Sequence, residues 1–169
     1  MAKSTSKAPT SNIPKVLEEK WSPEVIEAGW AAIPSAMIEH QRALGLDPID
    51  INIILHLANR WWVKENRPTP SKGSIAEAMK IDVSTVRRRI QNLEKAKLVR
   101  RQERRISKRG SLTNVYHLDG LIEALKPFAK VMVAEKKKRV AEREARYAQK
   151  SPPKLSLAGG TEVDFDDLD

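Results

Sequence analysis

Residues 71–98, SKGSIAEAMKIDVSTVRRRIQNLEKAKL, constrain the fold more than any other stretch of the chain. They read as two short helices joined by a tight turn. In the first, Ile75, Ala76 and Met79 share one face, and Ser71 or Ser74 is placed to cap its start. Ile81 plugs the turn, and Asp82 is placed to accept a bond from the backbone N–H of Ser84 or Thr85 and so start the second helix. There Val86, Ile90 and Leu93 recur at i, i+4, i+7, one apolar stripe at about 100° per residue. The opposite face carries Ser84, Arg88, Gln91 and Lys95, flanked by Thr85, Arg87 and Asn92. Such side chains suit base edges and phosphates. Two amphipathic helices of an ordinary core with a solvated basic face would also fit these residues alone.

Charge narrows the choice. The 169 residues carry a formal net charge of +9 with a pI near 9.9, which favours a polyanionic partner. Residues 151–169 hold one lysine and five acids, so that segment is at −4 and the rest of the chain at +13. A hydrophobic content of 40% supports one domain of ordinary size with tails. No apolar run approaches the roughly 18 residues of a membrane span, and the first residues, MAKSTSKAPTSN, contain no apolar core of a secretion signal. The chain has no cysteine, so neither disulfides nor thiolate metal sites are expected, which fits a cytoplasmic protein.

Along the chain, residues 1–12 read as a disordered tail. A short helix is expected to begin between Ile13 and Lys20. A second starts at Pro23 with Ser22 as its cap. Residues 29–34 are extended because Pro34 disfavours helix before it. Residues 35–44 are a helix closed by Gly45. Asp47 then caps a helix with Pro48 at its first position. That helix holds Ile51, Ile54, Leu55, Ala58, Trp61 and Trp62, apolar around most of its circumference, and belongs at the centre of a core. Asp50 is also a helix-start residue, and the two tryptophans are core and core rim rather than a stacking platform for bases.

After the paired helices, residues 97–107 are β-prone and rich in arginine, residues 108–111 are a turn, and residues 113–118 form a second strand. A hairpin directly after the second helix is a wing. It bears Arg100, Arg101, Arg104, Arg105, Lys108 and Arg109 against the single acid Glu103. From Asp119 a long helix runs to about residue 150, with Pro127 a place for a kink. Its stripe of Leu118, Leu121, Leu125, Phe128 and Met132 packs on the wing domain or on a second copy, so residues 118–132 are a homodimer seam on the second alternative.

The spacing of Ala76, Ile81, Thr85, Val86 and Ile90 resembles the bacterial repressor-type helix-turn-helix motif. More broadly, residues 33–117 resemble the winged helix-turn-helix proteins of bacteria, phages and plasmids. The resemblance rests on IPSAMIEHQRALGL, PSKGSIAEAMKI, VSTVRRRIQNLEKAKLV and NVYHL. The first of these segments is also similar to the N-terminal domain of DnaD-type primosome proteins. One departure stands out: Lys80 occupies the place where the motif has glycine. Either the lysine adopts a left-handed backbone, at a cost of about 1 kcal/mol, or the turn differs.

The expected fold is therefore mainly α with a small β-hairpin wing, in four parts: residues 1–12 (tail), 13–118 (winged helix-turn-helix domain), 119–150 (helix) and 151–169 (disordered acidic tail). The expected function is binding of double-stranded DNA by a transcriptional regulator, nucleoid-associated and of a mobile element. The alternative is a replication-initiation or primosome accessory protein that binds origin DNA and recruits partners; a winged helix used only for protein contact is a third, and three consecutive arginines argue against it. Residues 83–96 would enter the major groove and read bases through Thr85, Arg88 and Gln91, then Ser84, Arg87 and Asn92. Lys72, Lys95, Arg105, Lys108 and Arg109 would meet phosphates. No enzyme, cofactor or metal site is expected: His40, His56 and His117 fall in separate elements, and no glycine-rich phosphate loop or paired nucleophile and base is present. The acidic tail, with Phe165 and Leu168 among its carboxylates, is a solubilising segment, a mimic of DNA or a hook for a protein partner.

Overall fold

Short polar side chains at helix starts set the framework. The computed structural model describes residues 15–106 and 110–148. The order is α1 (Lys15–Trp21), α2 (Pro23–Ala28), α3 (Ser35–Glu39), α4 (Pro48–Ala58), α5 (Lys72–Met79), α6 (Val83–Lys95), β1 (Arg100–Ile106), β2 (Gly110–His117) and α7 (Asp119–Ala148). Both tails, and Lys108 and Arg109 of the expected turn, lie outside the described residues, as does the side chain of Arg105. The chain divides into two units with the boundary between Lys130 and Val131.

In the first unit α4, α5 and α6 each begin on a cap. Asp47 Oδ1 accepts from the N–H of Ile49 and of Asp50, both at 2.9 Å. Asp50 Oδ2 accepts in return from the N–H of Asp47 at 3.3 Å, which completes a capping box. Ser71 Oγ, rather than Ser74, caps α5, accepting from Ser74 N–H at 2.9 Å. Asp82 caps α6, accepting from Ser84 N–H at 2.6 Å. Each satisfies donors that a helix leaves open at its first turn.

Three expectations need correction. Ser22 makes no side-chain cap: its φ is 78° rather than the extended value a capping serine needs. The helix expected over residues 35–44 ends at Glu39, because His40 takes φ −112° and the chain continues as an irregular turn. Gly45 still closes that turn at φ 69°, with Leu46 N–H donating to Gln41 C=O (2.9 Å) and Gly45 N–H to Arg42 C=O (3.0 Å). Finally, α4 stops at Ala58, so Trp61 and Trp62 lie beyond the helix and are half-buried. The Arg67 guanidinium sits 4.8 Å over the Trp61 ring, and its Nη2 is 2.9 Å from Asp119 Oδ1.

The core of this unit joins Met37, Ile53, Ile54, Leu57, Ile75, Val86, Ile90, Val99 and Tyr116, all buried. Full burial of a side chain such as Ile90 stabilises by about 1.5–3 kcal/mol. β1 and β2 pair antiparallel, Arg100 opposite His117 and Arg101 opposite Tyr116, with a bulge between Gln102 and Arg104. Tyr116 N–H donates to Pro68 C=O at 2.9 Å, which draws the extended chain before α5 alongside β2. Leu118, Leu121 and Leu125 are buried inside the first unit, so the start of α7 packs on the wing domain, the first of the two alternatives above. His40 stacks on Phe128, ring centroids 4.6 Å apart. Gly120 permits a close approach there, since a Cβ on it would lie 1.8 Å from the Lys97 carbonyl oxygen.

In the second unit, residues 131–148 are helical and none is buried. Lys138 Nζ and Glu142 Oε1 stand 3.9 Å apart, and the Arg143 guanidinium lies 5.6 Å from the Tyr147 ring. Among the described residues no helix is long and apolar enough to cross a membrane.

Candidate nucleic-acid interface

The turn between α5 and α6 is tight because Lys80 adopts the left-handed conformation, φ 52° and ψ 43°. Its N–H and that of Ile81 turn back onto the carbonyls of Glu77 (3.2 Å) and Ala76 (3.0 Å), the paired closure normally made with glycine. The first alternative for Lys80 thus holds, and the turn keeps its geometry at the expense of strain. Ile81 is half-buried beneath it, and Ile75 and Ala76 are buried against the core.

On α6 the expected stripe is the buried one: Val86, Ile90 and Leu93 are each at most 3% exposed. The other face is open. Ser84, Arg87, Arg88, Gln91, Asn92 and Lys95 are exposed and Thr85 is half-buried. By helical geometry Gln91, Ser84, Lys95 and Arg88 span roughly 60° around the pole opposite the stripe. Among the described residues the side chains of Arg88, Gln91, Asn92 and Lys95 make no hydrogen bond or ion pair. At the start of the helix the Asp82 carboxyl is held below its ordinary range, first by the Ser84 hydroxyl and then by the Ser84 N–H.

The run Arg87-Arg88-Arg89 does not act as one patch. Arg89 turns inward, its Nη1 pairing with Asp47 Oδ2 and lying 3.7 Å from Asp50 Oδ2. Only two of the three arginines therefore face outward, which corrects the weight placed on the run as a whole. Around this pair the carboxyls diverge. Burial pulls Asp50 above its ordinary value, and the Asp47 charge adds to that, against the Asp47 N–H and Arg89. Burial acts on Asp47 in the same sense, but the Asp50 N–H, Arg89 and the Ile49 N–H outweigh it, and the group ends below its ordinary value.

Lys72, the first residue of α5, is half-buried, and its ammonium is held below the ordinary lysine value. Burial is the main cause, followed by the like charges of Arg101 and Arg87, against Glu94 and Glu103. Lys72 thus lies within electrostatic reach of Arg101 on β1 and Arg87 on α6, with Glu94 and Glu103 partly offsetting them. Arg101, whose Nε is 3.4 Å from Glu94 Oε1, is not among the phosphate-binding residues expected from the sequence. Its signal is the strand alternation that sets it opposite buried Tyr116, on the side of the hairpin that meets the domain.

Of the other wing cations, Arg104 is tied across the hairpin, Nε donating to Thr113 C=O at 2.9 Å and Nη2 to Thr113 Oγ1 at 3.2 Å. Arg100 is exposed. The side chains of Arg105, Lys108 and Arg109 lie outside the described residues. His117 sits at the wing base, Nε2 3.1 Å from Gln102 Oε1. Its imidazolium is disfavoured by burial and by Arg100 and Arg67, against Asp119. Among the described residues no group of three or more histidines and acids could hold a metal ion.

No curated protein matches the chain. Among solved structures it is similar to the N-terminal domain of DnaD protein from Geobacillus kaustophilus HTA426, at 18% identity and TM-score 0.48, covering 75% of this chain and 99% of that one. It is also similar to a possible transcriptional regulator from Methanosarcina mazei Go1, at 18% identity and TM-score 0.40, covering 60% of this chain and 82% of that one. A third is the S. aureus MepR–DNA complex, at 16% identity and TM-score 0.39, covering 79% and 90%. The family model described as a helix-turn-helix domain matches residues 44–99, which span α4, α5 and α6. α5, the left-handed turn at Lys80 and α6, arranged as above, give the matched residues 44–99 the helix–tight turn–helix geometry that this model describes.

Proposed function

We propose that the chain is a non-catalytic, sequence-specific regulator of transcription that binds double-stranded DNA. In this reading α6 lies in the major groove and the wing follows the neighbouring backbone. The observation that carries it is the outward face of α6. Arg88, Gln91, Asn92 and Lys95 are exposed and uncommitted on a helix whose other side is fully buried. Arginine bridges guanine O6 and N7, and glutamine or asparagine does the same for adenine N6 and N7. Thr85, Ser84 and Arg87 extend the reading face. Lys72, Lys95, Arg105, Lys108 and Arg109 serve as phosphate ligands, with Arg101 beside Lys72.

The test is a selection from a randomised duplex pool, followed by footprinting of the enriched site and of the DNA upstream of the protein's own coding sequence. Arg88→Ala or Gln91→Ala is expected to weaken the enriched site by about 1–3 kcal/mol and random duplex far less. Arg105→Ala or Arg109→Ala should weaken both nearly equally and flatten the salt dependence by roughly one unit for each phosphate left without its cation. Equal weakening on both DNAs for Arg88→Ala would show that α6 does not read bases. Preference for melted or branched DNA over any duplex would replace regulation by a role in replication initiation.

A further inference from the structure

The inward turn of Arg89 bears on how the reading face is aimed. The apolar stripe of Val86, Ile90 and Leu93 holds α6 on the core but is non-directional, so it resists separation better than rotation about the helix axis. Arg89 lies roughly 60° to one side of that stripe, where its guanidinium meets Asp47 and Asp50 at the start of α4. A charged hydrogen bond is directional in a way packing is not. The acceptor is itself fixed. Asp47 gives Oδ1 to the N–H groups of Ile49 and Asp50 and Oδ2 to Arg89, so the cap that starts α4 also orients the carboxylate for the arginine. α4 in turn is rooted by Ile53, Ile54 and Leu57, all but fully buried.

Resting on the DNA-binding reading above, we propose that Arg89 is a positioning residue. It touches no nucleic acid, and by anchoring α6 to the capping box of α4 it sets the rotation at which Arg88 and Gln91 are presented to the groove. Its side chain is 25% exposed and Asp47 36% exposed, so the pair is partly in water and adds little net stability. Its removal should therefore appear in discrimination between sequences rather than in folding.

The experiment uses the full chain with a random-sequence 30-base-pair duplex and the duplex enriched by the wild-type protein. Arg89→Gln is expected to leave the slope of log affinity against log salt on random duplex at the wild-type value, because the side chain neutralises no phosphate. Lys95→Gln, at a residue read as a phosphate ligand, should reduce that slope by about one unit and serves as the outward-facing comparison. The ratio of enriched-site to random affinity should fall about tenfold for Arg89→Gln, on the scale of one misaligned base contact, and Arg89→Lys should restore part of it. Asp47→Asn keeps an acceptor for the helix cap but removes the charge that holds Arg89. It should lower the same ratio while random-duplex affinity stays unchanged.

A shallower salt slope for Arg89→Gln, or tighter random-duplex binding by Asp47→Asn, would show that Arg89 reaches a phosphate and overturn the proposal. An unchanged ratio accompanied by a lower melting temperature would reduce Arg89 to a stabilising contact and overturn it as well. Failure of the DNA-binding reading itself is distinguishable, because it appears in the wild-type arm as absence of duplex binding or of any enriched sequence.

Discussion

Two helical stretches of this chain are densely basic, and they could hardly be held more differently. α6 carries Arg87, Arg88, Arg89 and Lys95 in 13 residues. Residues 131–148 of α7 carry Lys136, Lys137, Lys138, Arg139, Arg143 and Arg146. α6 buries Val86, Ile90 and Leu93, starts on the Asp82 cap and is tied to α4 through Arg89. Residues 131–148 bury nothing: Val131, Val133, Val140 and Tyr147 are all exposed, and Lys138 and Arg143 reach residues four positions along the same helix. Positive charge alone attracts a polyanion at a distance. Reading a base edge needs donors fixed to within a fraction of an ångström, and only α6 has the anchoring for that.

The largest expected effect tests that anchoring directly. Ile90→Asp would set an unpaired carboxylate between Val86 and Leu93, and burial of an uncompensated charge costs several kcal/mol or more. Disappearance of the cooperative thermal transition is expected; a melt near the wild-type temperature would mean that the stripe does not hold α6. Gly120→Ala comes next, at the start of the same α7 whose later residues bury nothing. The new methyl group meets the Lys97 carbonyl oxygen, a backbone atom that cannot swing aside. Overpacking of this kind costs about 1–3 kcal/mol, so the melting temperature should fall by several degrees. An unchanged melt would show that the beginning of α7 is as loosely held as its end. The smallest effect belongs to Val140→Lys in the exposed stretch, expected to change stability by less than about 0.5 kcal/mol. A larger drop measured by denaturant titration would reveal burial of that face and erase the contrast.

How far the sequence reaches depends on how local each feature is. The caps at Asp47, Ser71 and Asp82 are legible because the capping atom and its partner lie within three residues of each other. The stripe of α6 is legible because helical periodicity alone fixes which residues share a face. The break at His40 and the end of α4 before Trp61 are not, since apolar residues on both sides continue a helical pattern that the backbone abandons. Arg89 marks the deeper limit. Nothing in RRR distinguishes its third member, and its role depends on a carboxylate 42 positions earlier in the chain, reached only when α4 and α6 pack. Arg101 and Lys72 likewise become neighbours only once the hairpin folds back toward α5. The packing of Gly120 on the Lys97 carbonyl has no counterpart in any local pattern.

The wing leaves the domain at Leu98 and returns at Leu121, and the Leu121 N–H donates to the Leu98 carbonyl at 2.9 Å. The two ends of the hairpin are thus clasped together at its root, beside the close approach of Gly120 to Lys97. A segment clasped at its root is a tolerant place for insertion. Residues added in cross-strand pairs would lengthen the reach along a DNA backbone without disturbing how α6 or the start of α7 is seated. The entropy of closing a longer loop rises only slowly, by about 0.6 kcal/mol for each doubling of its length. Versions of this chain could therefore differ in wing length while sharing one helix-turn-helix, and in the proposed complex footprint width would be an adjustable trait separate from the sequence that α6 reads.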